Sequence, residues 1–245
     1  MIQIRRHVII PDFMQTRVMA PRAAAAAVSW WLSGGISAAN AIAVYQAKGA
    51  ADKATSLTDL AGNGYTLAEA GTVTWASNAG WSGWSNANYL QYIATRFLSG
   101  NTAKTVVVRM TPTNYSSLAQ NIVCLSDEVA PQYSGWALTP ELAARYFGGN
   151  NVYANDGANA DQVFAVTYPG SSTTASVLGY KNGGLLAESG ATAITPSTEG
   201  GITVGGLVSG ASTASFLGTI AAIACYDTAL TAPQVAAVST AMAAL

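Results

Sequence analysis

The chain has 245 residues, of which 9% are charged and 50% are hydrophobic, and its formal net charge is −1. Ordinary soluble proteins contain roughly 25% charged residues, so this composition is typical either of a protein packed against neighbours or of a stable β domain. A net charge of −1 excludes a positive electrostatic potential over the whole molecule of the kind that attracts nucleic acid. No run of the sequence reaches the ~20 apolar residues of a membrane-spanning helix.

Charge is uneven along the chain. Residues 1–22 contain four arginines against Asp12 alone, which gives +3 and leaves −4 for the remainder. Pro11 and Asp12 end the apolar run that follows the first arginines, and paired tryptophans interrupt the later alanine run. Both features argue against a cleaved signal peptide, so we interpret this segment as an arm.

Most of the remaining sequence predicts β-strands. Runs rich in Val, Ile, Thr and aromatic residues recur every ten to fifteen residues between Gly, Asn, Ser and Pro clusters, as in a sandwich or barrel. Asn182-Gly183 predicts a type I′ hairpin turn, because both positions tolerate positive φ. The predicted strands are 72–76, 88–94, 104–111, 121–126, 135–139, 162–168, 175–181, 201–206 and 217–226.

The last fifteen residues predict one amphipathic helix. Thr231 and Gln234 form a capping-box pattern, and Pro233 falls in the first turn, where its missing N–H costs little. A narrow apolar stripe follows, from which we expect a helix that covers the edge or end of the sandwich. The stripe comprises Val235, Val238, Met242 and Leu245.

The two cysteines, Cys124 and Cys225, each lie in an apolar run without a CxxC partner or metal-ligand spacing. We expect both to pack as small hydrophobic residues rather than to form a disulfide.

The C-terminal sequence resembles the end of laminin-G-like and concanavalin A-like lectin/glucanase domains. "YKNGG" at 180–184 resembles their hairpin and "ITVGG" at 202–206 one of their strands, whereas the usual Trp and His are absent from "DQVFAVTY" at 161–168. The C-terminal resemblance rests on Gly218-Thr219-Ile220, Tyr226-Asp227, Leu230-Thr231 and Gln234-Val235.

This resemblance implies an all-β fold, a two-sheet antiparallel jelly-roll sandwich (concanavalin A-like) over residues 41–245. An extended N-terminal arm over residues 1–40 precedes it, and a short C-terminal helix ends it. The segments Trp30 to Asn40 and Val44 to Ala51 also resemble phage and prophage structural proteins, in which an arm precedes such a sandwich. That narrower resemblance implies localisation in the virion, on the capsid as a decoration protein or on the tail.

Catalytic patterns are missing from the sequence. Glucanases of this fold use an "E-x-D-x-x-E" strand that places carboxylates on one face, and no such pattern exists here. His7 is the only histidine, which argues against Ser-His-Asp catalysis and His-based metal sites. We therefore predict a protein that is not an enzyme, with a glycoside hydrolase of glucanase-like fold as the least favoured alternative.

No cofactor is predicted, although calcium is an alternative at one polar segment. Asn155, Asp156 and Asp161 lie in a cluster of Asn and Asp residues that could supply oxygen ligands. The interpretation that we favour is a plain loop, because the same residues form turns.

Aromatic residues offer two further interpretations. "GWSGWSNANY" places Trp84 and Tyr89 among Gly, Ser and Asn, where rings could stack on a sugar; core packing is the alternative. We expect Trp84 to be the surface residue of this segment. Trp30 and Trp31 are adjacent, so one could anchor in the domain while Trp31 meets a partner.

The leading hypothesis is a non-enzymatic phage structural protein held in an assembly, or as a homo-oligomer, by residues 1–32. Arginine side chains pair well with carboxylates on partner proteins of the capsid or tail, and the extended arm could join a neighbour's sheet edge. The alternatives are an arm that folds back on its own sandwich and a module that binds surface glycans of a host or mucosa. The predicted partner-binding residues are Arg5, Arg6, Arg17, Arg22, Phe13 and Trp31.

Overall fold

The computed structural model describes residues 29–93, 102–113, 122–126, 136–138, 144–146, 150–152, 159–170, 177–188, 201–206 and 215–245. Within them lie fifteen β-strands and two α-helices. The helices are α1 (Lys53–Leu57) and α2 (Ala232–Ala243). The strands are β1 (Ala41–Gln46), β2 (Ala68–Ala70), β3 (Thr74–Ala76), β4 (Gly80–Ser82), β5 (Tyr89–Tyr92), β6 (Lys104–Pro112), β7 (Val123–Ser126), β8 (Trp136–Leu138), β9 (Ala144–Tyr146), β10 (Asn150–Val152), β11 (Gln162–Tyr168), β12 (Leu178–Lys181), β13 (Gly184–Glu188), β14 (Gly201–Val204) and β15 (Gly218–Tyr226).

The described strands form two antiparallel sheets. The first sheet has the order β13-β12-β11-β6-β15-β4-β3, and β1 also pairs with β15. The second sheet has the order β10-β9-β8-β7-β14-β5-β2. This arrangement confirms the predicted two-sheet antiparallel jelly roll.

The core between the sheets is built by alternate residues of the strands, because successive side chains point to opposite faces. In β6 the inward side chains are Val106 and Val108, which pack with Phe164 of β11 and Ile202 of β14. Trp81 is fully buried in this core, and its indole N–H donates a hydrogen bond of 2.9 Å to the Ser56 hydroxyl.

A second apolar cluster lies on the outer face of the first sheet. Val107 and Ala224 face outward from the two central strands and pack beneath Trp30 and the stripe of α2. Of that predicted stripe, Val235, Val238 and Met242 are fully buried, and Leu245 packs against the same cluster. The amphipathic helix is therefore confirmed, but it covers the outer face of the sheet rather than the edge or end of the sandwich.

Local signals at the two ends of this region also agree with the prediction. The backbone N–H of Thr231 donates a 3.0 Å hydrogen bond to the Gln234 side chain at the start of α2. Asn182 and Gly183 have φ values of 49° and 82° between β12 and β13, which confirms the hairpin. Both cysteines are buried and free, as expected.

The described part of the predicted arm, residues 29–40, packs on the sandwich. Trp30, Trp31 and Leu32 form a 3-10 turn rather than an extended strand. Trp30 is buried and its indole N–H donates a 2.9 Å hydrogen bond to Gln46, whereas Trp31 stays partly exposed. The carbonyl of Trp31 accepts a 2.9 Å hydrogen bond from the Tyr226 hydroxyl, which holds the turn against β15.

Arg109 holds the end of α2 on the sheet. This buried side chain donates to the backbone carbonyls of Met242 and Leu245 at 3.0 and 2.9 Å. Its Nε and Nη2 groups each donate one hydrogen bond to the Asp161 carboxylate, at 3.0 and 2.5 Å. A cation at a helix C-terminus also interacts favourably with the helix dipole, so one side chain joins β6, α2 and the segment before β11.

We expect Arg109→Met to lower the free energy of unfolding by about 2–4 kcal/mol, because several charge-assisted hydrogen bonds are lost together. Asp161→Asn is the control and costs about 1 kcal/mol, because this carboxylate is half exposed. Urea unfolding measures both values, and hydrogen exchange reports whether residues 239–245 open first. Equal stability of the Arg109→Met variant and the wild type would contradict this role.

Candidate functional site

The described ends of three chain connections meet at one end of the sandwich. The β4–β5, β6–β7 and β14–β15 connections begin and end there, because the strands pair antiparallel. The backbone amide of Thr113 donates to the carbonyl of Leu217 at 2.9 Å, and that of Gly205 donates to Ile122 at 2.8 Å. We call residues 83–89, 205–206 and 215–218 the loop end.

Trp84 forms the floor of the loop end. Its side chain is only 7% exposed, and its indole N–H donates a 3.2 Å hydrogen bond to the carbonyl of Gly218. The prediction that Trp84 is a surface residue is therefore wrong, because the ring fills the core beneath Gly205. A Cβ added at Gly205 would lie 2.0 Å from Cε3 of this ring, so only glycine lets the backbone pass there.

Tyr89 is the partly exposed aromatic residue of the loop end. It begins β5 and lies beside Gly206, where an added Cβ would be 3.2 Å from the Cβ of Tyr89. The same added atom would be 3.6 Å from the carbonyl oxygen of Ser85. The close backbone approach at Gly206 thus brings Tyr89 and the 85–88 turn together.

Polar side chains fix that turn and present an amide at its tip. Ser85 and Asn88 exchange backbone hydrogen bonds of 3.0 and 3.1 Å, and the Ser85 hydroxyl accepts from the amides of Ala87 and Asn88. Asn86 is exposed, and its Oδ1 accepts a 3.2 Å hydrogen bond from the Ser215 hydroxyl. This bond uses the amide oxygen of Asn86, so its two N–H donors stay available for a ligand.

The loop end combines features that suit a polar ligand with an apolar face. Leu217 is 42% exposed on the segment that carries Ser215, and Tyr89 adds ring surface. Binding sites for small ligands typically pair apolar and aromatic surface with a few well-placed hydrogen-bonding groups. A sugar can stack an apolar face on such a ring while its hydroxyls bond to amide and hydroxyl groups.

The remaining predicted partner-binding residues are only partly described. Trp31 lies far from the loop end, on the side of the first sheet covered by α2, and meets Trp30 edge to face at 5.5 Å between ring centroids. Arg5, Arg6, Arg17, Arg22 and Phe13 lie outside the described residues.

The possible calcium ligands are not brought together in what the structure describes. Asn155 and Asp156 lie outside the described residues, and both oxygens of Asp161 accept hydrogen bonds from Arg109. Those bonds lower the pKa of the Asp161 carboxyl, against the opposing effect of its partial burial. Across the described ranges, no group of three or more His, Cys, Asp and Glu side chains is arranged as a metal site.

Sequence reasoning missed most of the loop end. Asn86, Ser215 and Leu217 come from two connections that are far apart in the chain, so no spacing pattern joins them. The available signal was the paired glycine after "ITV", since glycine pairs mark close backbone approaches. In the part of the chain that the structure describes, neither helix is long and apolar enough to cross a membrane.

No protein-family model matches the sequence, and no curated protein sequence is significantly similar to it. Solved structures do match the fold. Domain 4 of AbnA, a GH43 extracellular arabinanase from Geobacillus stearothermophilus in complex with arabinotriose, matches with a TM-score of 0.55 and 16% identity. This match covers 82% of the present chain and 98% of that domain.

Two larger proteins match over parts of their length. The sialidase of Trypanosoma rangeli, in complex with 2,3-difluorosialic acid, gives a TM-score of 0.60 at 13% identity. The binding domain of botulinum neurotoxin serotype G gives 0.52 at 16% identity. Each match covers 82% of this chain, which spans 32% of the sialidase chain and 51% of the toxin chain. At these identities the likeness establishes a lectin-like β-sandwich fold.

We expect Gly205→Ala to destabilise the protein by about 3 kcal/mol or more, because the added methyl group would collide with Trp84 at a positive φ. Gly35→Ala is the matched control: its φ of +75° is close to the +80° of Gly205, but no atom lies within 4 Å of the added Cβ. That control should cost about 1 kcal/mol from backbone strain alone. Thermal or urea unfolding compares the two variants, and equal losses would show that Trp84 does not pack as described.

Proposed function

We propose that this chain is a non-enzymatic module that binds a glycan at the loop end. The observation behind the proposal is a partly exposed ring, Tyr89, in the same loop end as the exposed side chains of Asn86 and Leu217 and the buried Trp84. The fold likeness supports it to the extent that one similar domain is described in complex with arabinotriose.

The roles of the acidic side chains support a binding role without catalysis. Of the six carboxylates among the described residues, five accept hydrogen bonds or ion pairs from the chain itself. Buried Asp59, for example, accepts from the backbone amides of Val44, Ala61 and Asn63 at 2.9–3.0 Å. A catalytic acid–base pair needs two carboxyl groups that face a substrate. The five engaged carboxylates are Asp52, Asp59, Glu69, Asp161 and Asp227.

We expect Tyr89→Ala to weaken glycan binding about tenfold or more, since about 1.4 kcal/mol of lost stacking corresponds to a factor of ten. Tyr89→Phe is the control that keeps the ring and removes only the hydroxyl, so it should retain most of the affinity. A glycan array of neutral and acidic sugars identifies a ligand, and calorimetry then compares the variants at matched folded fraction. Equal affinities of the wild type and Tyr89→Ala would place binding elsewhere.

A second candidate is a virion protein whose arm attaches the sandwich to a capsid or tail. The favouring observation is that the two phage-like segments contact one another: Trp30 in the first donates to Gln46 in the second at 2.9 Å. This hydrogen bond and the Tyr226–Trp31 bond fix the point where residues 1–28 join the domain. Glycan binding and virion attachment use different parts of the chain, so both functions are compatible.

We expect deletion of residues 1–22 to leave a cooperatively unfolding domain that no longer joins particles or oligomers. Charge reversal of Arg5 and Arg6 to Glu, in the full-length chain, is the companion variant and should weaken attachment without changing stability. Sedimentation with purified particles and thermal unfolding measure the two properties. If the truncated protein unfolds, the arm belongs to the core; full occupancy on the particle would show that attachment lies elsewhere.

A further inference from the structure

The loop end lacks charged side chains. None of its residues, from 83 to 89, 205 to 206 and 215 to 218, is Asp, Glu, Lys, Arg or His. Apart from the indole N–H of Trp84, which is hydrogen-bonded to Gly218, its hydrogen-bonding side chains are hydroxyls and amides, namely Ser85, Asn86, Asn88, Tyr89 and Ser215.

The three connections that contribute residues to the loop end are uncharged in sequence, unlike the β8–β9 and β10–β11 connections at the same end of the sandwich, which contain Glu141 and Asp161. Residues 83–88, 113–122 and 205–217 include no acidic or basic residue. Asp161 pairs with Arg109, and Glu141 lies outside the described residues. The neighbouring β2–β3 segment does contain Glu69, but this carboxylate pairs with Lys53 at 2.5 Å and accepts a hydrogen bond from the amide of Val73. The pair cancels its own charge, so little net field from it reaches the loop end.

An uncharged site discriminates against an acidic ligand. Moving a carboxylate out of water costs free energy unless a cation or several converging donors replace its hydration. Arginine supplies the strongest such replacement through paired N–H groups, and no arginine lies at the loop end. A neutral sugar does not pay this cost, because its hydroxyls exchange water for amide and hydroxyl partners.

We infer that the ligand of the loop end is a neutral glycan, without carboxylate, sulfate or phosphate groups, and this inference rests on the proposed glycan-binding function. The exposed amide of Asn86 and the hydroxyl of Ser85 recognise sugar hydroxyls. Tyr89 contacts the apolar face of the sugar ring.

Lactose and sialyllactose form a matched pair of probes, because they differ by one acidic residue. Calorimetry against both, with arabinotriose and maltotriose as further neutral probes, measures the selectivity of the wild type. We expect at least one neutral probe to bind about tenfold or more tightly than sialyllactose, a difference of about 1.4 kcal/mol. The neutral affinity should change less than about twofold between low and high salt, because screening acts on charges.

Asn86→Lys tests whether charge at this position sets the selectivity. The new cation should raise the ratio of sialyllactose affinity to neutral-probe affinity about two- to fivefold, as expected for an exposed charge pair. Asn78→Lys is the control, because it makes the same charge change at an exposed position in the β3–β4 turn, and its ratio should stay at the wild-type value.

The outcomes separate this inference from the proposed function. If the wild type binds sialyllactose as tightly as the neutral probes or more tightly, the inference of a neutral ligand is overturned, but the proposed glycan-binding function stands. If Asn86→Lys leaves the ratio of sialyllactose affinity to neutral-probe affinity unchanged, the sugar lies away from Asn86. This result would also overturn the inference. Failure of every neutral and acidic probe on the array would remove the proposed function itself.

Discussion

Burial of the first sheet on both faces is the constraint on which the rest of the structure depends. Its two central strands, β6 and β15, alternate residues between two apolar clusters, so that Val106 and Val108 face the second sheet while Val107 and Ala224 face outward. A sheet with two apolar faces is stable only when both are covered. The second sheet covers one face, and α2 with the Trp30 turn covers the other.

This requirement explains the contrast between the two ends of the chain. The C-terminal helix follows β15 directly and returns across the outer face, where Arg109 holds its last carbonyls. The Trp30 turn then packs beside the helix and is tied to β15 through the Tyr226 hydroxyl. Residues 29–40 therefore belong to the folded unit, and only the segment before them has the composition of an arm.

The loop end depends on the same strands but is built differently. Its turns are held by backbone and hydroxyl hydrogen bonds and by the Trp84 floor, without ion pairs among the described residues there. Charged side chains in the described region instead fix structural junctions, as Arg109 and Asp161 do beside α2 and Lys53 and Glu69 do near β3. Among the described residues, these ion pairs stabilise the architecture, whereas the exposed polar side chains of the loop end are neutral.

The sequence by itself determined the strand-rich architecture, the Asn182-Gly183 hairpin and the terminal helix, because alternation, turn chemistry and capping are local properties of the chain. It did not reveal β1 or the short strands β2, β4, β9 and β10, whose three to six residues contain too little pattern to stand out. Only the tertiary structure decided which aromatic ring is exposed: Trp84 and Tyr89 have similar neighbours in sequence, but Gly205 passes over one and Gly206 beside the other. Likewise, the meeting of Asn86 with Ser215 depends on strand register across 129 positions of separation, which no local pattern encodes.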